Sequence, residues 1–490
     1  MGLDFYETIF ELVDFDTMSQ IAAYGGFPRR YPHWRFGMEY ERLRKEHTYG
    51  LGKIYEMVIN NDPCYAYLVS DNSLTDQKLV MAHVYAHCDF FKHNIWFGQT
   101  NRKMIDEMAN HATRIRRLVD RVGFDEVERF IDVCVSLDNL IDPHSALMKR
   151  GEIKRVEPRK RPAPVARHFD DQVTKYQSKD YMDRWINPPE RMREERTRIK
   201  EEQEQKRKKE PPQPVRDVLL YLLEHAPLED WQVDILSIVR EEAYYYAPQG
   251  QTKIMNEGWA TYWHSRMMTT RILRDDELIT YADHHSGTVA MPPGRINPYK
   301  IGLELFRDIE DRWNRGRFGK EYEECESLDA RRKWDRQLGL GRQKIFEVRR
   351  IYNDVMFIDE FLTPEFAQRA KLFFYRQDPA TRRMVVVDHE FEKIKQQMLF
   401  MLTNHGQPYI YVVDGNYNNR GELYLAHKYN GVDLDIKYAV ETLRNVHTIW
   451  QRPVHLQAMI NDETVLFTND GAQQQQQKIA HDLPEPAHRV

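Results

Sequence analysis

A chain of 490 residues exceeds one ordinary domain and, at roughly 150 residues per domain, suggests about three structural units. With 41% hydrophobic and 30% charged residues and a formal net charge of -5, it is a globular sequence rich in solvated charge, without the cation excess that would neutralise a phosphate backbone. The opening Met1–Tyr6 has no basic-then-apolar leader pattern, no apolar run approaches the ~20 residues of a membrane span, and Cys64, Cys88, Cys134 and Cys325 form no CxxC pair; a cytoplasmic protein with reduced thiols is expected, and secreted, membrane-spanning, collagenous and wholly disordered classes are excluded.

The N-terminal part, residues 1–150, reads as helical, with apolar residues three and four apart as in Met104, Met108, Ile115 and Leu118. Within it, Leu79–Phe97 is apolar around most of a helix circumference yet carries His83, His87 and His93, so a buried helix with polar groups in need of partners is expected. Residues 151–215 change texture: eight of the 23 prolines fall between Pro158 and Pro214, and 15 of the 20 residues from Arg191 to Glu210 are charged. This stretch reads as a Pro-rich linker or insert flanking a solvated mixed-charge helix. Helical spacing returns over residues 216–383, which carry the block MNEGWATYWH, Met255–His264. A small α+β domain follows over residues 384–470, with a helix at Glu390–Thr403, strands at Tyr409–Asp414, Glu422–Tyr429, His455–Ile460 and Thr464–Thr468, and a helix at Ile436–Trp450 between the hairpins. Residues 471–490, with five consecutive glutamines, read as a disordered tail. The fold class is therefore mainly α, α+β overall, with a large helical body that has room for a zincin-like core and a small C-terminal α+β domain.

His83 and His87 lie one helical turn apart, the spacing that lets two imidazoles reach one metal ion. Asn256 is a competent N-cap, and on a helix starting there Glu257 and His264 share a face, because seven residues advance the helix by about 700°. Glu257 is the natural third ligand to His83 and His87, and the metal suggested by that donor set is zinc. Water or His264 fills the fourth position. HExxH enzymes place their general base directly after the first histidine, where this chain has Val84. Glu241, Glu242 and Asp89 are the alternatives, with Glu242 and His264 carried forward as catalytic candidates. The plain alternative is a pair of buried histidines satisfied by hydrogen bonds.

Cys88 is a further catalytic candidate, the nucleophile of an amide or γ-glutamyl transfer activated by His83, His93 or His264; the opposing reading is an apolar filler. His284 and His285 precede a Pro/Gly-rich loop and are alternative ligands. Asn404-His405-Gly406 reads as a turn. The chain has no Gly-rich dinucleotide fingerprint, phosphate-binding loop or GxSxG element.

Five stretches, YGGFPRRYPHWRFG (Tyr24–Gly37), HVYAHCDFFKHN (His83–Asn94), APLEDWQ (Ala226–Gln232), IVREEAYYYAPQGQTKIMNEGWATYWH (Ile238–His264) and PYKIGLELFRDIEDRW (Pro298–Trp313), resemble the stage V sporulation protein R (SpoVR) family. The resemblance implies a cytoplasmic bacterial protein linked to the spore cortex, a modified peptidoglycan, or to stress-linked envelope development. It also implies two partners, a PrkA-type serine protein kinase and a YeaH/YhbH-type protein. Separately, NEGWATYW (Asn256–Trp263) is similar to the EGWALY segment of some gluzincin-type metallopeptidases, which implies that Glu257 ligates zinc. Three functions follow as expectations: a metal-dependent hydrolase or amidase, a Cys88-dependent transferase, or a non-catalytic adaptor for the two partners.

Overall fold

The computed structural model describes residues 1–48, 54–145, 188, 191–193, 197–198, 210–378 and 381–479. Most of the charged Arg191–Glu210 stretch and of the Pro-rich linker falls outside them, and the described residues 191–193 and 197–198 are helical. The chain divides into two compact units, one formed by Met1–Ile131 and Glu241–Gln407, the other by Asp132–Arg240 and Pro408–Val490. Among the described residues no helix is long and apolar enough to cross a membrane.

The first unit opens with a small sheet that helical spacing had not suggested. Strand β1 (Thr8–Val13) runs parallel to β3 (Cys64–Val69), and β2 (Glu56–Ile59) pairs with the other edge of β3, antiparallel. The segment Cys64–Val69 is buried at five of its six positions, so it shows no in–out alternation and its apolar run is indistinguishable from helix core by pattern alone. Helices α1 (Phe15–Ala23), α2 (Trp34–Thr48), α3 (Leu74–His93), α4 (Met104–Val122) and α5 (Phe124–Val135) follow. Helix α3 starts where the Ser73 hydroxyl accepts from the Asp76 N–H at 3.1 Å, satisfying one of the orphan donors of its first turn. It buries twelve of its side chains, His83 and His87 among them.

Helix α6 (Val218–His225) lies in the second unit, and α7 (Asp230–Gln251) runs across the division. Next comes α8 (Lys253–Met267), the centre of the first unit, in which every residue from Ile254 to Ser265 is buried. Its Trp259 and Trp263 pack with Phe306, Phe357 and Phe361 in one cluster, and burying each indole stabilises the fold by about 4–6 kcal/mol of transfer free energy. Helices α9 (Leu278–Thr288), α10 (Pro298–Arg315), the short α11 (Lys320–Glu323) and α12 (Leu328–Lys333), then α13 (Gly341–Ile351), α14 (Asp354–Phe361) and α15 (Pro364–Arg369) follow. Helices α8 and α10 cross at glycines: a Cβ on Gly258 would lie 2.4 Å from the Gly302 Cα, so only a glycine pair permits the approach. Hairpin β4 (Phe374–Gln377) and β5 (Met384–Asp388) and helix α16 (Phe391–Leu402) complete the unit.

The second unit holds a five-stranded sheet of β6 (Tyr409–Tyr417), β7 (Glu422–Lys428), β8 (Val454–Ile460), β9 (Glu463–Asn469) and β10 (Gln474–Lys478), in the order β10-β9-β8-β7-β6. Strands β7 and β8 are parallel and joined through α17 (Ile436–Trp450), which begins where the Asp435 carboxylate accepts from the Lys437 and Tyr438 N–H groups. The four strands and one helix expected here from alternation and turn residues are all present. Two differences stand out. The glutamine run, read from composition as disordered tail, supplies the edge strand β10, whose backbone pairs with β9 whatever its side chains. The boundary also moves: β5 and α16 belong to the first unit, and the sheet unit begins at Pro408 and takes in α6.

Candidate metal centre

His83 and His87 project from adjacent turns of α3, and Glu257 faces them from α8, which packs against α3. The Glu257 Oε2 lies 3.4 Å from His83 Nε2 and 3.5 Å from His87 Nε2, and all three side chains are at most 8% exposed. These separations are too long for charge-assisted hydrogen bonds, which run at about 2.7–2.9 Å. They match the ~3.4 Å edge between neighbouring ligands of a tetrahedral ion bound at about 2.1 Å. The Glu257 Oε2 is buried without a hydrogen-bond partner, and its other oxygen accepts from Lys253 Nζ at 2.6 Å.

The opposite ring nitrogens are also occupied. His87 Nδ1 lies 2.8 Å from the Asn256 Oδ1, an acceptor, so that nitrogen donates to the amide oxygen and Nε2 is the one turned toward the Glu257 carboxylate. A buried carboxylate oxygen facing two imidazole nitrogens is a place for positive charge, whether a proton or a metal ion. His83 Nδ1 meets His264 Nδ1 at 2.9 Å, and His264 Nε2 meets His285 Nδ1 at 3.2 Å. Rear nitrogens engaged in this way are what orients histidines where they ligate an ion. Tyr299, at the start of α10, stacks on the His83 ring at 6.0 Å between centroids.

The charge states agree with the geometry. Burial, with His87 beside it, lowers the His83 pKa to about 4, keeping the ring neutral at pH 7. Burial alone would raise Glu257, but the facing histidine nitrogens and Lys253 outweigh it and hold the carboxyl well below its usual range. Burial and the neighbouring His83 and His285 rings depress His264 far below an ordinary histidine. Glu56, on β2, is pushed up to about 7 by burial, with His87 and Glu257 within electrostatic reach.

The other sequence candidates go elsewhere. Helix α8 starts at Lys253 rather than Asn256, so Asn256 is not a cap but the partner of His87. Glu242 sits on α7, bound to Arg30 Nη2 at 2.5 Å and 3.3 Å from His111 Nδ1, while Glu241 faces His111 Nε2 at 3.3 Å. Asp89 is consumed by the Asp4 N–H, the Trp259 indole at 2.9 Å and Arg349 at 2.6 Å. His264 sits behind His83, its Nδ1 2.9 Å from the His83 Nδ1, outside the His83–His87–Glu257 group. His284 bonds Asp76, and His93 bonds Asp4. Cys88 is fully buried beside Cys64, which together with burial pushes its thiol well up, and His83, His93 and His264 each have a ring nitrogen engaged by another partner. The residues that sequence reasoning missed are Lys253, Tyr299 and Glu56; none stands at a ligand spacing from the histidine pair.

A family model described as SpoVR like protein matches residues 1–407, and one described as SpoVR-like C-terminal domain matches residues 408–461. The chain is 30% identical over 494 residues to an Escherichia coli K12 protein described as uncharacterized protein YcgB, covering 94% of this chain and 90% of that one. No solved structure matches it.

Proposed function

The chain belongs to the SpoVR family, and from its buried cluster we propose that it binds one divalent ion, zinc by donor set, through His83, His87 and Glu257 and acts as a metal-dependent hydrolase or amidase. The observation that carries this reading is the unpartnered Glu257 Oε2, set 3.4 and 3.5 Å from two histidine nitrogens. A proton shared among these groups would draw one of the two separations down to hydrogen-bond length; both stay at ligand-edge length.

Bound there, zinc supplies Lewis acidity to a carbonyl and to water. The chain's own residues do the rest. Asn256 and the His264–His285 pair hold the two imidazoles in orientation, and Lys253 balances the Glu257 charge. Glu56, pushed up to about 7 by burial and within electrostatic reach of His87 and Glu257, is the group suited to accept a proton, a role for which Glu241, Glu242 and Asp89 are misplaced. The envelope role that the family resemblance implies makes peptidoglycan-type amides the first substrates to try.

Elemental analysis of protein purified without chelator tests the reading. About one equivalent of zinc is expected, falling to background in His83→Ala and Glu257→Gln variants that keep their circular dichroism. Less than about 0.1 equivalent of any transition metal in the parent protein, after zinc is supplied, refutes it. Full complementation of a deletion strain by the same variants would instead support the adaptor for the PrkA-type kinase and the YeaH/YhbH-type protein.

A further inference from the structure

A second concavity in the first unit, of about 710 Å³, falls within the ~300–1,000 Å³ range of small-ligand sites. It lies among the loop before α10, the segment from Arg369 to Tyr375, and α16. Its floor is apolar, built on Val289, Met291, Leu372, Phe373, Ile394 and Met398. Four cations line it, Arg295, Lys300, Arg369 and Lys371, and no aspartate or glutamate does, although acidic residues outnumber basic ones in the chain by 76 to 71.

Two of the four are already neutralised from outside the groove: Lys300 by Glu304 at 3.4 Å and Arg369 by Asp308 at 2.6 Å. The side chains of Arg295 and Lys371 make no ion pair or hydrogen bond among the described residues. The rim is unusually apolar for a solvated surface. Ile296 and Met401 are 42% and 44% exposed, and Met384 of β5 reaches over Gly294, continuing into the exposed Val385, Val386 and Val387. Exposed aliphatic side chains gathered around a concavity mark a binding surface.

We propose that this groove binds an anionic amphiphile, its aliphatic chain on the apolar floor and its carboxylate or phosphate head on Arg295 and Lys371. The apolar depth favours a chain over a bare anion, since free phosphate would gain nothing from the phenylalanines and methionines. The unpaired cations favour an anionic head over a neutral one. An extended peptide fits less well, because the floor offers few groups to satisfy a buried backbone. None of these residues belongs to the His83–Glu257 cluster, so failure here leaves the metal reading untouched.

Calorimetric titration of the full chain with dodecyl phosphate, kept below its aggregation concentration, is the test. Saturable binding at one site is expected, with dodecyl maltoside and inorganic phosphate each weaker by at least about tenfold, the worth of one charge-assisted contact. The surface variant Arg295→Glu with Lys371→Glu should lose at least about tenfold, and Ile296→Glu with Met401→Glu should weaken binding from the apolar side. Equal affinity for the neutral and anionic amphiphiles, or an unchanged affinity in the charge variant, overturns the proposal. Poly-glutamate binding as tightly as dodecyl phosphate overturns it in favour of an acidic peptide. Uptake onto phosphatidylglycerol vesicles without saturable binding of the monomer overturns it in favour of a membrane surface.

Discussion

Replacing Glu257 by Gln separates the metal reading from a purely structural one, because the two predict opposite consequences for stability. Without metal, the carboxylate is buried with one oxygen lacking a hydrogen-bond partner, 3.4 and 3.5 Å from two imidazole nitrogens, an arrangement that costs free energy. Its one strong compensation is Lys253, whose side chain is 50% exposed, and such a pair contributes no more than about 1 kcal/mol. The metal-free variant should therefore be within about 1 kcal/mol of the metal-free parent, or slightly more stable. With zinc at a hundred times its dissociation constant, the parent gains about 2.7 kcal/mol, which for a unit of this size raises the melting temperature by about 5 °C. The variant, missing an anionic ligand, should gain almost none of it. Thermal melts of parent and variant, each with chelator and with zinc, read all four states. Equal zinc-dependent shifts in the two proteins would refute the ligand assignment, and a variant destabilised by several kcal/mol with chelator present would make Glu257 a structural residue.

Four further outcomes follow from the packing. Gly302→Ala would set a Cβ 2.2 Å from the Ile254 carbonyl oxygen and 2.5 Å from the Gly258 Cα; with backbone on both sides it should cost at least about 3 kcal/mol in urea unfolding, and a loss under 1 kcal/mol would contradict the close crossing. The Asp354 carboxyl, pushed to about 7 by burial, accepts from the Ile254 and Met255 N–H groups at 2.7 and 2.9 Å, so Asp354→Ala should cost about 2–5 kcal/mol, with Asn recovering part, as read by denaturation midpoints. Burial alone would lower His111, but Glu241 and Glu242 outweigh it and raise its pKa to about 9; the ion cluster's contribution is complete below about pH 6.5 and is lost as pH rises through about 9, roughly 2 kcal/mol after screening on the exposed Glu241 side, and His111→Gln should flatten that slope in unfolding curves taken from pH 6 to 10. Cys64, Cys88 and Cys134 are buried while Cys325 is partly open, so mass spectrometry after brief iodoacetamide treatment of the native protein should find one labelled thiol, and fast labelling at Cys88 would revive its nucleophile role.

What could be read from the sequence was local. The His83–His87 pair is visible because both residues lie on one helix at a one-turn spacing, and Glu257 is visible because its neighbours Trp259, Tyr262 and Trp263 mark an inward helix. The sheet unit was legible for a similar reason: its strands alternate or end on Asn, Asp and Gly turns. The errors share one cause, a dependence on contacts distant in the chain. Asn256 resembles a cap, yet the helix begins at Lys253, where Asp354, about a hundred residues away, accepts the first free N–H groups that a local side chain would otherwise have capped. Asn256 is thereby freed to face His87.

The placement of Glu242 depends on distant contacts in the same way. Glu242 precedes the Glu257 helix closely in sequence, but α7 ends at Gln251, and its bonds to Arg30 and His111 fix Glu242 in a different ion cluster. Glu56 lies about two hundred residues from Glu257, on a strand whose neighbour β3 is too uniformly apolar to be recognised as strand. The glycine pair explains why the rest of the centre can form. With Gly258 set directly against Gly302, α10 comes close enough to α8 for Tyr299 to lie on His83, and a side chain at either glycine would push that wall away. The three candidate donors therefore come from two helices and their support from a third, and only the spacing within the first helix leaves a period in the sequence.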